Sequence, residues 1–148
     1  MRKLVVGDSV ETAGRTMGEG DVNLFAGLVG DFTPIHIDET FAQKTPHGTR
    51  IAHGPHSMAT VIGMATHTGL FGERVIGLVN INWDFSGAVK IGDTIRSRVT
   101  VEEVRPTSKP GRSLATYLFE VLNQRDENIQ SGRMKVIVRS DEATEAGQ

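Results

Sequence analysis

Hydrophobic period divides this chain into a helical first half and a strand-rich second half. From Asp21 the apolar residues Val22, Phe25, Ala26 and Val29 recur at helical spacing, and Asp21 suits a first turn. Gly30 is the natural terminator of that helix. Ahead of it, residues 10–16 predict a short strand leading to Gly18-Glu19-Gly20. Asp38 to Lys44 predicts a second short helix, capped by Asp38 and packed through Phe41. Residues 45–54 are rich in turn formers. Residues 54–65 are apolar or small on nearly every side, which predicts a helix buried all round, with Pro55 at its first position. Beyond Gly69 and Gly72 the period changes. Arg74 to Asp84, Thr94 to Val104, Leu114 to Asn123 and Ile129 to Arg139 are rich in Val, Ile, Thr and aromatics, and turn signals separate them.

A buried helix followed by four successive strands predicts an α+β domain with an antiparallel sheet wrapped on the helix. Residues 1–140 form that one domain, and residues 141–148, polar and small, form a flexible C-terminal tail. An open sheet edge favours pairing with a second copy, so a homodimer is expected.

Composition narrows the function classes. The 148 residues carry 16 basic and 18 acidic side chains, so no cationic excess suggests nucleic acid as a partner. No stretch approaches the ~20 apolar residues that span a bilayer. The apolar run after Met1-Arg2-Lys3 covers only Leu4 to Val6, short of the roughly 7–15 residues of a signal peptide. With no cysteine, disulfides, thiol nucleophiles and thiolate metal sites are excluded. A cytoplasmic location is the resulting expectation.

The chemistry concentrates in Gly30-Asp31-Phe32-Thr33-Pro34-Ile35-His36. Pro34 lacks an N–H and biases Thr33 toward extended backbone, so no helix is expected to run through it. That places a carboxylate at the exit of one helix and an imidazole on the next turn, a pair able to share one water and move its proton. The structural alternative is an Asx-type turn made by Asp31 alone. The histidines at 36, 47, 53, 56 and 67 show no metalloprotease spacing, and His53 and His56 straddle a helix start, so no metal site is expected. His53 is expected to fix the Gly54 turn by its hydrogen bonds, and His47 and His67 to face solvent.

Gly30-Asp31-x-x-Pro34-Ile35-His36, with His53-Gly54 opening an apolar helix, resembles the MaoC-like family of hot-dog-fold enoyl-CoA hydratases. Asn82-Trp83-Asp84-Phe85, Val89-Lys90-Ile91-Gly92-Asp93-Thr94-Ile95 and Phe119-Glu120-Val121-Leu122-Asn123-Gln124 are similar to that family's later strands. The likeness covers roughly residues 10–138. It implies that Asp31 and His36 are the catalytic pair and that the Gly54 N–H is an oxyanion donor. It implies reversible addition of water to a trans-2-enoyl thioester to give the (R)-3-hydroxyacyl thioester. The family usually has Asn between the Asp and the Pro, where this chain has Phe32-Thr33; Thr33 offers one hydroxyl in place of an amide.

Such a reaction needs an anion-stabilising donor for the thioester oxygen, worth on the order of 3 kcal/mol in the transition state. Gly54 at a helix N-terminus suits that task; Pro55 cannot donate, and His56 is the remaining backbone candidate. Ser57 either lines the substrate pocket or caps its own helix. Arg105, Lys109 and Arg112 lie in a Pro/Gly-containing loop, placed to bind the phosphates of coenzyme A or an acidic carrier protein, or simply solvated. No metal or redox cofactor is required, because coenzyme A or a phosphopantetheine arm arrives with the substrate. Two other readings remain: a hot-dog thioesterase, distinguished by thiol release, and a non-catalytic subunit that binds acyl thioesters without turnover.

Overall fold

The computed structural model describes residues 3–140, so the expected tail at 141–148 lies outside the described residues. Two short strands open the chain, β1 (Ser9–Glu11) and β2 (Arg15–Thr16), where a single strand was expected. The helix α1 (Glu19–Val29) follows. Asp21 closes its N-terminus by accepting from Gly18 N–H at 2.9 Å, and Gly30 ends it in the left-handed conformation (φ 77°). Pro34 does not interrupt a helix but starts one, the single turn α2 (Pro34–Ile37), where its missing N–H has no partner to lose. Asp38 caps α3 (Glu39–Ala42) by accepting from Phe41 N–H at 3.0 Å. That short helix packs through Ala42; Phe41, expected in the core, is about half exposed.

The long helix α4 (Gly54–Ala65) has Pro55 at its second position, one later than expected. Its buried face consists of Ser57, Val61 and Ala65. The expectation of burial all round fails for this chain alone, because a single sheet covers one side and leaves Pro55, Ala59 and Gly63 exposed.

Four long strands complete the fold: β3 (Val75–Phe85), β4 (Thr94–Pro106), β5 (Arg112–Leu122) and β6 (Asn128–Arg139). All pairings are antiparallel, in the order β1-β4-β5-β6-β3, with β2 also on β4. Succession in the chain therefore does not set succession in the sheet. β3 crosses over to pair with the last strand and forms an open edge.

Alternation sorts the sheet faces. One cross-strand row runs Val99, Phe119, Gly132, Trp83, and the next runs Val101, Tyr117, Met134, Ile81; both face α4 and the core. The opposite face carries charged pairs such as Arg133–Glu102 (2.7 Å) and Arg98–Glu11 (2.8 Å). Tyr117 is fully buried against Phe71, and burial pushes its phenol up to about 12.

Gly132 is where packing demands glycine. A Cβ there would lie 2.1 Å from the Trp83 indole, which crosses β6 at this point to meet Phe119 at 5.3 Å. Gly132→Ala is expected to lower stability by about 1–3 kcal/mol through overpacking. Denaturant unfolding would show it as a lower midpoint with an unchanged slope.

Candidate active site

Asp31 stands one residue beyond the left-handed turn at Gly30. Its Oδ1 accepts from Thr33 N–H (3.1 Å) and Thr33 Oγ1–H (2.5 Å), so Asp31 makes the Asx-type turn and still has Oδ2 available. These two bonds hold the Asp31 carboxyl below the usual carboxylate range, with smaller help from His53 and His36. Oδ2 is left facing His53 Nε2 at 4.0 Å.

His36 occupies the one-turn helix α2. Its Nδ1 lies 2.7 Å from the Ile51 carbonyl, which can only accept, so Nδ1 carries the hydrogen and Nε2 presents a lone pair. The acceptor is held in turn. Ile51 N–H donates to Ile35 O (3.2 Å), and the neighbouring Arg50 bridges Glu39 (2.7 Å) and Glu19, clamping this loop to α3 and α1. Thr49 Oγ1–H also donates to Glu39, and these donors keep that carboxyl below its usual range.

His53 is the N-cap residue of α4 and is almost completely buried (1%). Its Nε2–H donates to the Asp31 backbone carbonyl at 3.0 Å, and its ring stacks on His36 with centroids 3.8 Å apart. Its backbone carbonyl fixes the Gly54 turn as expected, accepting from His56 N–H and Ser57 N–H at 3.1 Å each, while its ring reaches back 22 residues to the Asp31 turn. Together Asp31, His36 and His53 bring their ligand-capable atoms within 4.8 Å of one another. They converge poorly on an ion. Stacking keeps the in-plane lone pairs of the two rings in separate planes tilted by only 25°, and two of the four ring nitrogens already serve carbonyls.

Directly after His53, the Gly54 N–H has no hydrogen-bond partner among the described residues and opens a 12-residue helix. His56 is not a second donor, because its N–H goes to His53 O at 3.1 Å. The His56 ring instead stacks on Phe25 (4.6 Å, 5°), and burial there holds it below the usual histidine range.

A cavity of about 330 Å3 adjoins Gly54, walled by Ile51, Ala52, Ser57, Phe85, Val89 and Gln130. Asp31 and His36 are not in its wall; His36 connects to it through the Ile51 carbonyl, and Asp31 through the His53-Gly54 step. Ser57 is part of this wall, but its hydroxyl is engaged, donating to Gly54 O (3.0 Å) and accepting from Gln130 Nε2–H (2.7 Å). Gln130 in turn accepts from Trp83 Nε1–H at 3.0 Å. Sequence reasoning missed Gln130, although Gln130, Gly132, Met134, Val136 and Val138 form one inward period-2 series. A polar residue in that series was the available signal. His47 is also in the cavity wall, only partly exposed, whereas His67 does face solvent.

Arg105, Lys109 and Arg112 are not brought to this site within one chain. Arg105 faces Glu103 (3.9 Å), while Lys109 and Arg112 line a separate cavity of about 750 Å3 with Lys3 and Arg139. Arg105 lies at the end of β4 and Arg112 opens β5, not in the loop expected to hold all three; the turn between them, with Lys109, closes the β4–β5 hairpin at the opposite end of the sheet. The nine residue-to-residue steps of β6 from Gln130 to Arg139 span roughly 30 Å at about 3.3 Å each.

An antiparallel sheet packed on one long helix, with an acid–imidazole pair at that helix's N-terminus, defines a hot-dog fold. The MaoC-like domain model matches residues 3–121, and the chain belongs to that family. An (R)-specific enoyl-CoA hydratase of Rhodospirillum rubrum is 43% identical over 64% of this chain and 65% of its own length. Another, from Aeromonas caviae, is 30% identical over 80% of this chain and 85% of its own. The match to a 3-hydroxybutyryl-CoA dehydratase of Methylorubrum extorquens covers 64% of that relative, so the chain spans less than two thirds of some relatives it matches. Among solved structures, the R-hydratase PhaJ1 of Pseudomonas aeruginosa superposes with TM-score 0.79 and 30% identity, covering 93% of this chain and 84% of that one.

Thr33→Val removes one of the two bonds to Asp31 Oδ1 and keeps the backbone one. The Asp31 pKa then rises toward its ordinary value, so the acid limb of a kcat/KM profile that needs the carboxylate moves to higher pH. A pH–rate series on both proteins measures this; an unmoved acid limb contradicts it.

Proposed function

We propose that this protein is an (R)-specific enoyl-thioester hydratase/dehydratase, a hydro-lyase acting on trans-2-enoyl thioesters of coenzyme A or of a carrier protein. The observation that carries the reading is the Asp31 carboxylate and the bare His36 Nε2 beside the unpartnered Gly54 N–H. The names of the relatives support it.

In the hydration direction the thioester oxygen takes the Gly54 N–H, which draws charge from the double bond onto oxygen. Asp31 Oδ2 and His36 Nε2 hold one water. His36 takes its proton on the bare Nε2 as the new O–C3 bond forms. The imidazolium then returns that proton to C2, which completes addition of H and OH and restores the site. Asp31 keeps its charge throughout and stabilises the transient imidazolium.

The reading includes a homodimer. β3 is an unpaired edge that exposes Val75, Ile76, Leu78 and Val79, and α4 exposes a face of small residues that admits close approach. Two β3 edges paired antiparallel about a two-fold axis reverse their strand ends. One copy's Lys109–Arg112 cavity then lies toward the other copy's Gly54, where the phosphates of the thioester carrier would meet it. No helix among the described residues is long and apolar enough to cross a membrane.

Purified protein is expected to bleach the conjugated absorbance of crotonyl-CoA without releasing thiol, and to form the (R) product. Asp31→Asn and His36→Ala should each reduce turnover by roughly 10²–10⁴-fold. Turnover within tenfold of wild type in either variant, or thiol release in place of bleaching, contradicts the assignment. For the dimer, Leu78→Lys at the edge should shift sedimentation from two copies to one; a wild-type monomer at micromolar concentration refutes the pairing.

A further inference from the structure

Within the acid–base reading above, on which this inference rests, one buried side chain has no assigned task. His53 sits between the two proposed catalytic groups and directly before the oxyanion donor. A residue needed only to fill space at this point would gain nothing from being an imidazole. Burial of an imidazole leaves two polar nitrogens to satisfy, and His53 satisfies one: Nδ1 has no partner. The unmet cost at Nδ1 implies that the Nε2 side supplies something an apolar ring cannot.

That side supplies two constraints at once. The Nε2–H···O=C bond to Asp31 (3.0 Å) pins the backbone from which the carboxylate projects, immediately after the left-handed turn at Gly30. The ring face lies 3.8 Å from the His36 ring at an interplanar angle of 25°. Rotation of His36 about its side-chain bonds is therefore blocked on that side, while the Ile51 carbonyl fixes its other degree of freedom. Phe25 of α1 also packs on the His53 ring, tilted by 57° with centroids 5.0 Å apart. Asp31 and His36 belong to different local elements, the end of α1 and the turn α2, and no hydrogen bond joins their side chains directly among the described residues. His53 is the residue that touches both.

We propose that His53 is a positioning residue for the Asp31–His36 pair, acting through the Asp31 carbonyl and the face of His36, with its hydrogen on Nε2 and Nδ1 bare. It does not touch substrate. Pre-organisation of this kind acts on turnover, because misplacing a reacting group by about 1 Å costs on the order of 10²-fold.

Two variants separate its two contacts. His53→Phe keeps a ring against His36 and removes the N–H; His53→Gln keeps an N–H donor and removes the ring. With a crotonyl thioester, His53→Phe is expected to lower kcat about tenfold or more while KM changes less than about threefold, and His53→Gln to recover part of the loss. In an Asp31→Asn background, followed by single turnover with enzyme in excess, His53→Phe should add little, because its effect runs through Asp31. Variants with kcat within twofold of wild type, a raised KM at unchanged kcat, or a fully additive loss would overturn the proposal. If the variants fail to fold, the ring nitrogens of isotopically labelled wild-type protein decide it: a hydrogen on Nε2 and none on Nδ1 supports it, and the reverse tautomer refutes it. An inactive Asp31→Asn beside fully active His53 variants sinks this inference alone, whereas an active Asp31→Asn sinks the acid–base reading and this inference with it.

Discussion

Two imidazole-to-carbonyl hydrogen bonds hold the candidate site together: His36 to Ile51 and His53 to Asp31. Each joins backbone segments that are distant in sequence, and each sets a tautomer, because a carbonyl cannot donate. They determine which ring nitrogen of His36 is bare, where Asp31 starts from, and how α4 meets the turn beyond α1. The Arg50 clamp serves the same arrangement one step out, by steadying the loop that presents the Ile51 acceptor. Chemistry in this protein is thus a consequence of backbone anchoring as much as of side-chain identity.

The sheet reaches the site by a different route. Trp83 lies over Gly132 and donates to Gln130, Gln130 donates to Ser57, and Ser57 donates to the carbonyl of Gly54. This buried polar line fixes the rotation of α4 relative to the sheet, so the N–H at the helix start keeps one direction. A fully satisfied network in low dielectric tolerates little displacement.

Much of this was legible in sequence where the signal is local. Runs rich in Val, Ile, Thr and aromatics between turn signals place the four long strands to within one or two residues, and Gly30 stops α1 where a glycine terminator should. Asp31 and His36 meet as the motif spacing implies. What stayed hidden depends on which surface faces which. The polarity of Ser57 does not reveal that Gln130 will meet it from 73 residues away, nor does His53 reveal that its partner is Asp31. The helix α4 read as buried all round because small residues suit both a core and a face awaiting a partner. No helix runs through Pro34, as its missing N–H requires, and the same fixed φ that breaks a helix interior makes it the first residue of α2. Arg105, Lys109 and Arg112 are basic and near one another in sequence, yet distance along the sheet depends on strand direction, which composition does not carry.

The close fit of Gly54 against Phe85 has an evolutionary reading. A Cβ on residue 54 would stand 3.2 Å from the Phe85 ring, which is tighter than ordinary contact and falls on a half-exposed side chain at the end of β3. The two positions are therefore expected to covary: a smaller residue at 85 would release the constraint on 54, and a larger residue at 54 would be tolerated only after that change. Drift at the cavity mouth is channelled through the order in which these two substitutions occur, so the sequence history of the site is contingent as well as selected.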